Sequence, residues 1–148
     1  MCLIYKKTLP ENEQTAIRYK VAAIGKRNRI VSPTFFFEWF RNKWNFPKES
    51  PPRLWIPTNE NQVGFHTVAT LEEAREVAKE YCETSSMSYG LLSHSKTVIL
   101  ELKVKNLKAI GKIKNMDYCG EGEIWGAAKI QKVIPYQEGE AYIKEPIE

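Results

Sequence analysis

Alternating polar and apolar side chains predict a strand and a hairpin in the first part of the chain. Residues 18–24 place apolar side chains at every second position, as in a half-buried strand. Gly25 ends this run, and the basic segment at 26–29 has the composition of a hairpin loop. The pattern predicts that the chain turns back there and continues as a strand from Ile30.

The same alternation predicts the strands of the second half. Residues 97–105 are apolar at every second position, and a turn at Asn106 separates them from a further strand over 109–113. The glycine-bracketed segment at 120–122 predicts a loop. Residues 124–136 then supply the closing strand, so strands dominate this part of the chain.

The strongest local pattern predicts an amphipathic helix between these two regions. A strand over residues 63–70 ends at Thr70, which has the spacing of a capping box with Glu73. The apolar residues that follow share one helical face: Leu71, Ala74, Val77, Ala78, Tyr81 and Cys82. Charged residues occupy the other face, which predicts a helix over residues 70–83.

An aromatic segment precedes a proline-rich one. Four of its rings recur at near-helical spacing, namely Phe36, Phe37, Phe40 and Trp44. This spacing predicts a second, aromatic helix over residues 34–45, with a strand through Phe35–Phe37 as the alternative. Residues 45–62 contain four prolines and predict a long irregular connection.

Together these elements predict the fold class. Strands near both ends with one clear helix between them indicate a single α+β domain over residues 1–148, built on a mixed or mostly antiparallel sheet. The strand–helix–strand order occurs only once, which argues against a doubly wound α/β sheet.

Composition narrows the setting in which such a domain works. The sequence contains no apolar run of the roughly 20 residues that span a bilayer, and its first ten residues lack the pattern of a signal peptide. The three cysteines are widely spaced and neither histidine lies near a cysteine pair, which predicts reduced thiols and no metal site. We expect a cytoplasmic protein that does not contact a membrane.

Two short segments carry candidate chemistry. Gly64 would let a ligand approach the backbone, and His66 can act as an acid or base near neutral pH. A bulge glycine beside a half-buried histidine is the structural alternative for these two residues. Glu121 and Glu123 point to one side of an extended segment, where two carboxylates can orient a hydroxyl and stabilise a developing cation. A solvated turn is the alternative for them.

The net charge of +4 is compatible with an acidic partner. Lysines recur on the predicted C-terminal strands: Lys103, Lys105, Lys108, Lys112, Lys114, Lys129 and Lys132. If these strands pair, several of the lysines share one face, which either protects a sheet edge or binds an anionic partner such as nucleic acid. We expect most of the aromatic rings in the core, with one or two left for a partner surface.

A set of short motifs along the chain resembles a family of small, largely uncharacterised proteins of phages, other mobile elements and bacteria. The motifs are TyrLysVal (19–21), SerPro (32–33), GlyPheHis (64–66), ThrLeuGluGluAla (70–74), ValIleLeuGluLeu (98–102) and AlaLysIle (128–130). The resemblance covers most of the chain. It implies a phage or mobile-element context.

A more distant similarity is to ADP-ribosyltransferase-like domains. The glycine–phenylalanine strand that leads into the helix and the pair Glu121 and Glu123 carry this similarity. It implies that Arg18 or Tyr19 helps to hold NAD and that Glu123 stabilises an oxocarbenium-like transition state. The sequence differs from those domains in having His66 at a position that is commonly aromatic, and in lacking their Ser-Thr-Ser strand.

These observations lead to one functional hypothesis and two alternatives. We expect a non-enzymatic binding module that needs no cofactor and docks on a host protein, such as a defence or nucleic-acid-associated factor. The first alternative is an ADP-ribosyltransferase-like enzyme that uses NAD, with Arg18, Tyr19 and Gly64 in the cofactor site and with His66, Glu121 and Glu123 as catalytic residues. The second alternative is nucleic-acid binding through the C-terminal lysines.

Overall fold

A long antiparallel hairpin forms the centre of the protein. The structure, a computed structural model, describes residues 2–32, 38–47, 64–83, 96–115 and 118–136. In chain order its elements are β1 (Cys2–Thr8), β2 (Thr15–Ile24), β3 (Ile30–Val31), β4 (Glu38–Trp39), β5 (Phe65–Thr67), α1 (Leu71–Glu83), β6 (Lys96–Asn115) and β7 (Tyr118–Pro135). The central hairpin consists of β6 and β7, which pair along almost their whole length.

The other strands add to the two edges of this hairpin. On one side, β6 pairs with β2 through residues 96–105 and with β1 through residues 109–114. Strands β3 and β4 continue beyond β2, whereas β5 pairs with the opposite edge of β7. Every pairing between the described strands is antiparallel. The prediction of a mostly antiparallel sheet is therefore confirmed, as is the hairpin loop at 26–29.

The sheet curls until its two sides meet, which produces a half-barrel. Val68, directly after β5, exchanges two backbone hydrogen bonds of 2.9 and 3.0 Å with Tyr19 of β2. Asn45 exchanges a second pair, of 2.7 and 3.0 Å, with Ala128 on the edge of β7. These contacts bring side chains of β2 and β7 together although β6 lies between the two strands in the sheet.

Each face of the curled sheet buries its own apolar cluster. The concave interior contains Trp125 and the tilted ring pair of Trp39 and Phe65, whose centroids are 4.6 Å apart. The outer face packs against α1, which contributes fully buried small residues such as Ala74 and Ala78. Burial on both faces explains why residues 21–24 of β2 are apolar at every position, a pattern that a half-buried strand would not need.

At the start of helix α1, Thr70 caps the chain as the sequence predicts, although the Glu73 carboxylate accepts from the Thr70 hydroxyl where a capping box would use the Thr70 amide. The Glu73 amide donates to the Thr70 hydroxyl over 3.1 Å, and that hydroxyl donates to the Glu73 carboxylate over 3.0 Å. Leu71, Ala74 and Val77 face the sheet, while Glu72 and other charged residues face solvent. Among the described residues, no helix has the length and apolar character needed to cross a membrane.

The prediction of a second, aromatic helix over residues 34–45 is wrong over the part that the structure describes. Glu38 and Trp39 form β4, a turn follows, and Asn45 bridges to β7. Trp39 is buried, and its indole N–H donates to the Ser32 hydroxyl over 2.8 Å, which anchors this segment in the interior. The alternative strand through Phe35–Phe37 and most of the connection at 45–62 lie outside the described residues.

Two predicted breaks in the C-terminal strands are also wrong. Asn106 does not end a strand, because it adopts a left-handed conformation (φ 61°) within β6, next to a register shift between Leu107 and Ala109. Such a bulge bends a strand without ending it. The predicted loop at 120–122 lies inside β7, where it pairs with residues 111–113 of β6.

Candidate functional site

Arg18 of β2 and Glu123 of β7 form an ion pair at the opening of the concave interior. The guanidinium Nε donates to the Glu123 carboxylate, and Nη1 donates to the Ile17 carbonyl over 2.8 Å. The guanidinium also lies 5.7 Å from the ring centroid of Trp125. Both side chains of the pair stay partly open to solvent, at 26% and 20% exposure. A small polar ligand could therefore reach this pair from solvent.

Thr67 lies beside this pair because β5 pairs with β7. Its Cα lies directly opposite that of Glu123, so the two side chains share the concave face. Phe65 and Trp125 are opposite each other in the same way, two residues further along. Among the described residues, the Thr67 hydroxyl and the Trp125 indole N–H are buried without a hydrogen-bond partner. Buried polar groups are usually paired, so these two call for a water molecule or a ligand.

Lys20 adds a second cation to the concave side of β2. Its ammonium donates to the His66 carbonyl over 3.0 Å, where β2 and β5 lie side by side. The residue as a whole is only partly exposed, and burial of the ammonium lowers its pKa to about 8. Lys20 can therefore lose its charge under mildly basic conditions.

The structure places His66 and Tyr19 on the other side of the sheet from Glu123. His66 is buried opposite Ile124, so it faces the other side of the sheet. Tyr19 also faces that side, where its hydroxyl donates to Glu101 over 3.3 Å. Burial, followed by the nearby Glu101 carboxylate, raises the Tyr19 pKa. Glu121 is exposed opposite Lys112. Glu121 shares the side of Glu123, as the spacing predicts for an extended segment, and the alternative of a solvated turn is wrong.

The role of Gly64 is steric, which is close to the alternative prediction of a bulge glycine. Its φ is 149°, and a Cβ there would lie 2.3 Å from Ile124 Cγ2 and 2.9 Å from the Trp125 carbonyl oxygen. Glycine is thus required for the close approach of the chain to β7. The geometry gives a packing reason for this glycine that does not involve a ligand.

Sequence reasoning predicted Arg18 and Glu123 but missed Thr67, Lys20 and Trp125. Thr67 carries no motif of its own, and its role depends on the register of β5 against β7. A usable signal existed for Lys20, which is a charged residue within the otherwise apolar second half of β2. Trp125 stands two residues after Glu123 and so had to share its face in an extended strand.

A second candidate surface lies on the outer face, beyond the part that α1 covers. Ile17, Lys103 and Lys129 are cross-strand neighbours in one row over β2, β6 and β7. Lys105 lies two residues from Lys103 on the same face. We call this surface, with two adjoining aromatic residues, the lysine–aromatic face: Ile17, Trp44, Phe46, Lys103, Lys105 and Lys129.

The aromatic part of this face comes from the turn before Asn45 and the residue after it. The Lys105 ammonium lies 4.3 Å from the ring centroid of Trp44 and 6.0 Å from that of Phe46. Phe46 is 60% exposed and Ile17 is 44% exposed, which is high for large apolar residues. The nearest carboxylate along β6 is Glu101, which accepts the Tyr19 hydrogen bond. The predicted sharing of one sheet face is thus seen for Lys103, Lys105 and Lys129, and Lys132 lies on the same face opposite Glu101.

Comparisons with protein-family models, with curated proteins and with solved structures find no match for this chain.

Proposed function

We propose that this protein is a cytoplasmic binding module, a single α+β domain that uses the lysine–aromatic face to dock on a host factor with an acidic surface. The phage or mobile-element context that its sequence resemblance implies is the setting for this role. One observation carries the proposal: Lys103 and Lys129 lie directly opposite each other on neighbouring strands. Like charges in such cross-strand positions destabilise a sheet, and an acidic partner would offset that cost.

The apolar members of the face support docking in addition to charge attraction. Phe46 and Ile17 expose large apolar surfaces beside the lysines. Such surfaces next to charged residues are typical of interaction sites. A host protein, such as a defence or nucleic-acid-associated factor, would place carboxylates against Lys103, Lys105 and Lys129.

A pull-down from bacterial lysate tests the proposal. The wild-type chain should capture a specific partner at low salt, and Lys103→Glu should lose it because charge reversal turns attraction into repulsion. Lys79→Glu, an equal charge change on the exposed side of α1, is the matched control and should keep the partner. Capture that is equal for all three chains, or no capture at all, would contradict a docking role for this face.

The alternative function is an ADP-ribosyltransferase-like enzyme that binds NAD at the opening of the concave interior. The contact between Arg18 and Glu123 favours it, since the distant similarity assigns NAD binding to the first and transition-state stabilisation to the second. The buried Thr67 hydroxyl without a partner suits a ribose or phosphate oxygen. In this reading His66 is not in the catalytic set, because it faces the other side of the sheet, whereas Glu121 lies two residues from Glu123 on the same side.

Thermal unfolding with NAD tests the alternative separately. A ligand at 100 times its dissociation constant adds about 2.7 kcal/mol to the free energy of unfolding, so millimolar NAD should raise Tm measurably. Arg18→Met should remove the shift, and Lys79→Met should keep it. An unchanged Tm for the wild type would exclude NAD binding and leave the docking proposal untouched.

A further inference from the structure

We infer that the lysine–aromatic face binds single-stranded nucleic acid. This inference rests on the proposed docking role of the face and goes beyond it, because it adds a single strand, such as one held by a nucleic-acid-associated host factor, to what the face binds. Three observations support this inference. Lys103 and Lys129 lie opposite each other, two aromatic rings lie near Lys105, and a second ring–lysine pair lies on the turn that carries Trp44.

The first observation is a compact group of cations. Lys103 and Lys129 are cross-strand neighbours, and Lys105 follows on the same face, so three ammonium groups point away from one short stretch of sheet. A phosphate backbone offers negative charge at regular short intervals and binds such groups by releasing its counterions. The charge pattern thus fits a phosphate backbone.

The second observation is that two aromatic rings adjoin the lysines, and one of them, Phe46, is exposed. Trp44 and Phe46 stand at alternate positions of an extended segment and both approach Lys105. Phe46 is the most exposed of the large apolar residues that are described, at 60%. Bases of a single strand can stack on such rings, whereas the bases of a duplex are already stacked on each other. This feature selects a single strand.

The third observation extends the surface along the turn that carries Trp44. The Lys43 ammonium lies 4.2 Å from the ring centroid of Phe40, which is 48% exposed. Asn45 holds this turn closed through hydrogen bonds with the backbone of Phe40 and Lys43. The Phe40–Lys43 pair and the Trp44 ring are therefore carried by one hydrogen-bonded turn, so a bound strand would meet a preorganised surface.

Fluorescence anisotropy with a labelled 15-nucleotide oligothymidine, and with a duplex of equal length, tests the inference. Three lysine–phosphate contacts predict a slope of about −2 for log K against log salt, so affinity should fall about 20-fold between 50 and 200 mM NaCl. Lys103→Ala removes one phosphate contact and should make the slope shallower by about 0.7. Phe46→Ala should weaken binding about tenfold and leave the slope unchanged, because it removes one base stack and no charge.

Two matched controls and two contrary outcomes make the test decisive. Ile110→Ala removes another exposed apolar residue and Lys79→Ala another exposed lysine, and both should bind like the wild type. Circular dichroism should show that all variants are folded. Equal affinity for the duplex, with no effect of Phe46→Ala, would overturn the inference. The absence of oligonucleotide binding at 50 mM NaCl would also overturn the inference. If lysate capture still depended on Lys103 in that case, the docking proposal would stand, with a protein as the occupant of the face.

Discussion

Arg18 and Glu123 are 105 positions apart in the chain and form an ion pair across the curled sheet. Their strands are not neighbours, because β6 lies between β2 and β7. The pair exists because the chain at Val68 joins the edge of β2 just after β5 has paired with β7. The contact therefore forms only when the sheet has curled into the half-barrel.

A double-mutant cycle measures the worth of this contact. Arg18→Met and Glu123→Gln should each lower the free energy of unfolding, and the double variant should lose less than the sum of the two. We expect a coupling energy of about 1 kcal/mol, since the pair is half-buried and exposed pairs reach at most about that value. Urea denaturation supplies the four free energies. Strict additivity would show that the two side chains do not interact in solution.

Lys20 predicts a rise in stability with pH. Burial lowers its pKa to about 8 in the folded state, while the unfolded chain keeps the ordinary value of about 10.4. Between these values the unfolded chain binds more protons, so the free energy of unfolding rises as the pH increases through that window. The loss of stability that comes from burying the charged Lys20 ammonium is fully present below pH 8. Because the side chain is partly exposed, we expect a gain of about 1 to 2 kcal/mol, less than the full shift implies.

Urea denaturation at several pH values checks this prediction. The stability of the wild type relative to Lys20→Met should increase from pH 7 to pH 10, because the methionine cannot titrate. Lys7→Met, which changes an exposed lysine on β1, should run parallel to the wild type. A constant difference between wild type and Lys20→Met over this range would show that the ammonium is solvated.

Gly64→Ala should be strongly destabilising. The new Cβ would lie 2.3 Å from Ile124 Cγ2 and 2.9 Å from a backbone oxygen, at a φ of 149° that side chains rarely adopt. Overpacking of this kind costs about 1 to 3 kcal/mol, and the strained backbone adds to it. Gly126→Ala is a useful contrast, since the atoms nearest to its Cβ belong to the Asn106 side chain, whose outer amide can rotate away. Thermal unfolding should rank the two variants in that order, and equal losses would contradict the steric account.

Asn45→Ala should cost about 2 to 3 kcal/mol, because the partly buried backbone groups of Phe40 and Lys43 lose their partner at once. The Asn45 side chain accepts from the Phe40 amide and donates to the carbonyls of Phe40, Lys43 and Ala128. Lys43→Ala on the same turn should change stability by no more than about 0.5 kcal/mol. If both variants unfold at the same urea concentration, the hydrogen-bond network does not hold the turn.

The same Asn45 variant links stability to function. Trp44 and Phe46 flank Asn45, whose side chain holds the turn through hydrogen bonds with Phe40, Lys43 and Ala128. The backbone bridge of Asn45 to β7 remains in the variant, but these side-chain bonds are lost. Nucleic-acid affinity should therefore fall in Asn45→Ala although that residue contributes no charge and no ring to the lysine–aromatic face.

Local chemistry in the sequence determined the features that depend on nearby residues. The helix at Leu71–Glu83 follows from a cap and an apolar stripe that lie within a few residues of each other. The hairpin after Gly25 and the strand character of β2, β6 and β7 follow from turn residues and a period of two. In each case the relevant interactions span a few positions, so the amino-acid pattern expresses them directly.

Only the tertiary structure decided which face of each strand is buried and which side chains meet. Asn106 has the composition of a turn, yet pairing on both sides of β6 holds it in a bulge. Trp39 belongs to a segment with helical spacing, yet contacts with Phe65 and Ser32 hold it in a strand. The contact of Arg18 with Glu123 depends on closure of the sheet, which is set by many long-range pairings together. No short pattern contains that information, because the energy that selects it comes from residues far apart in the chain.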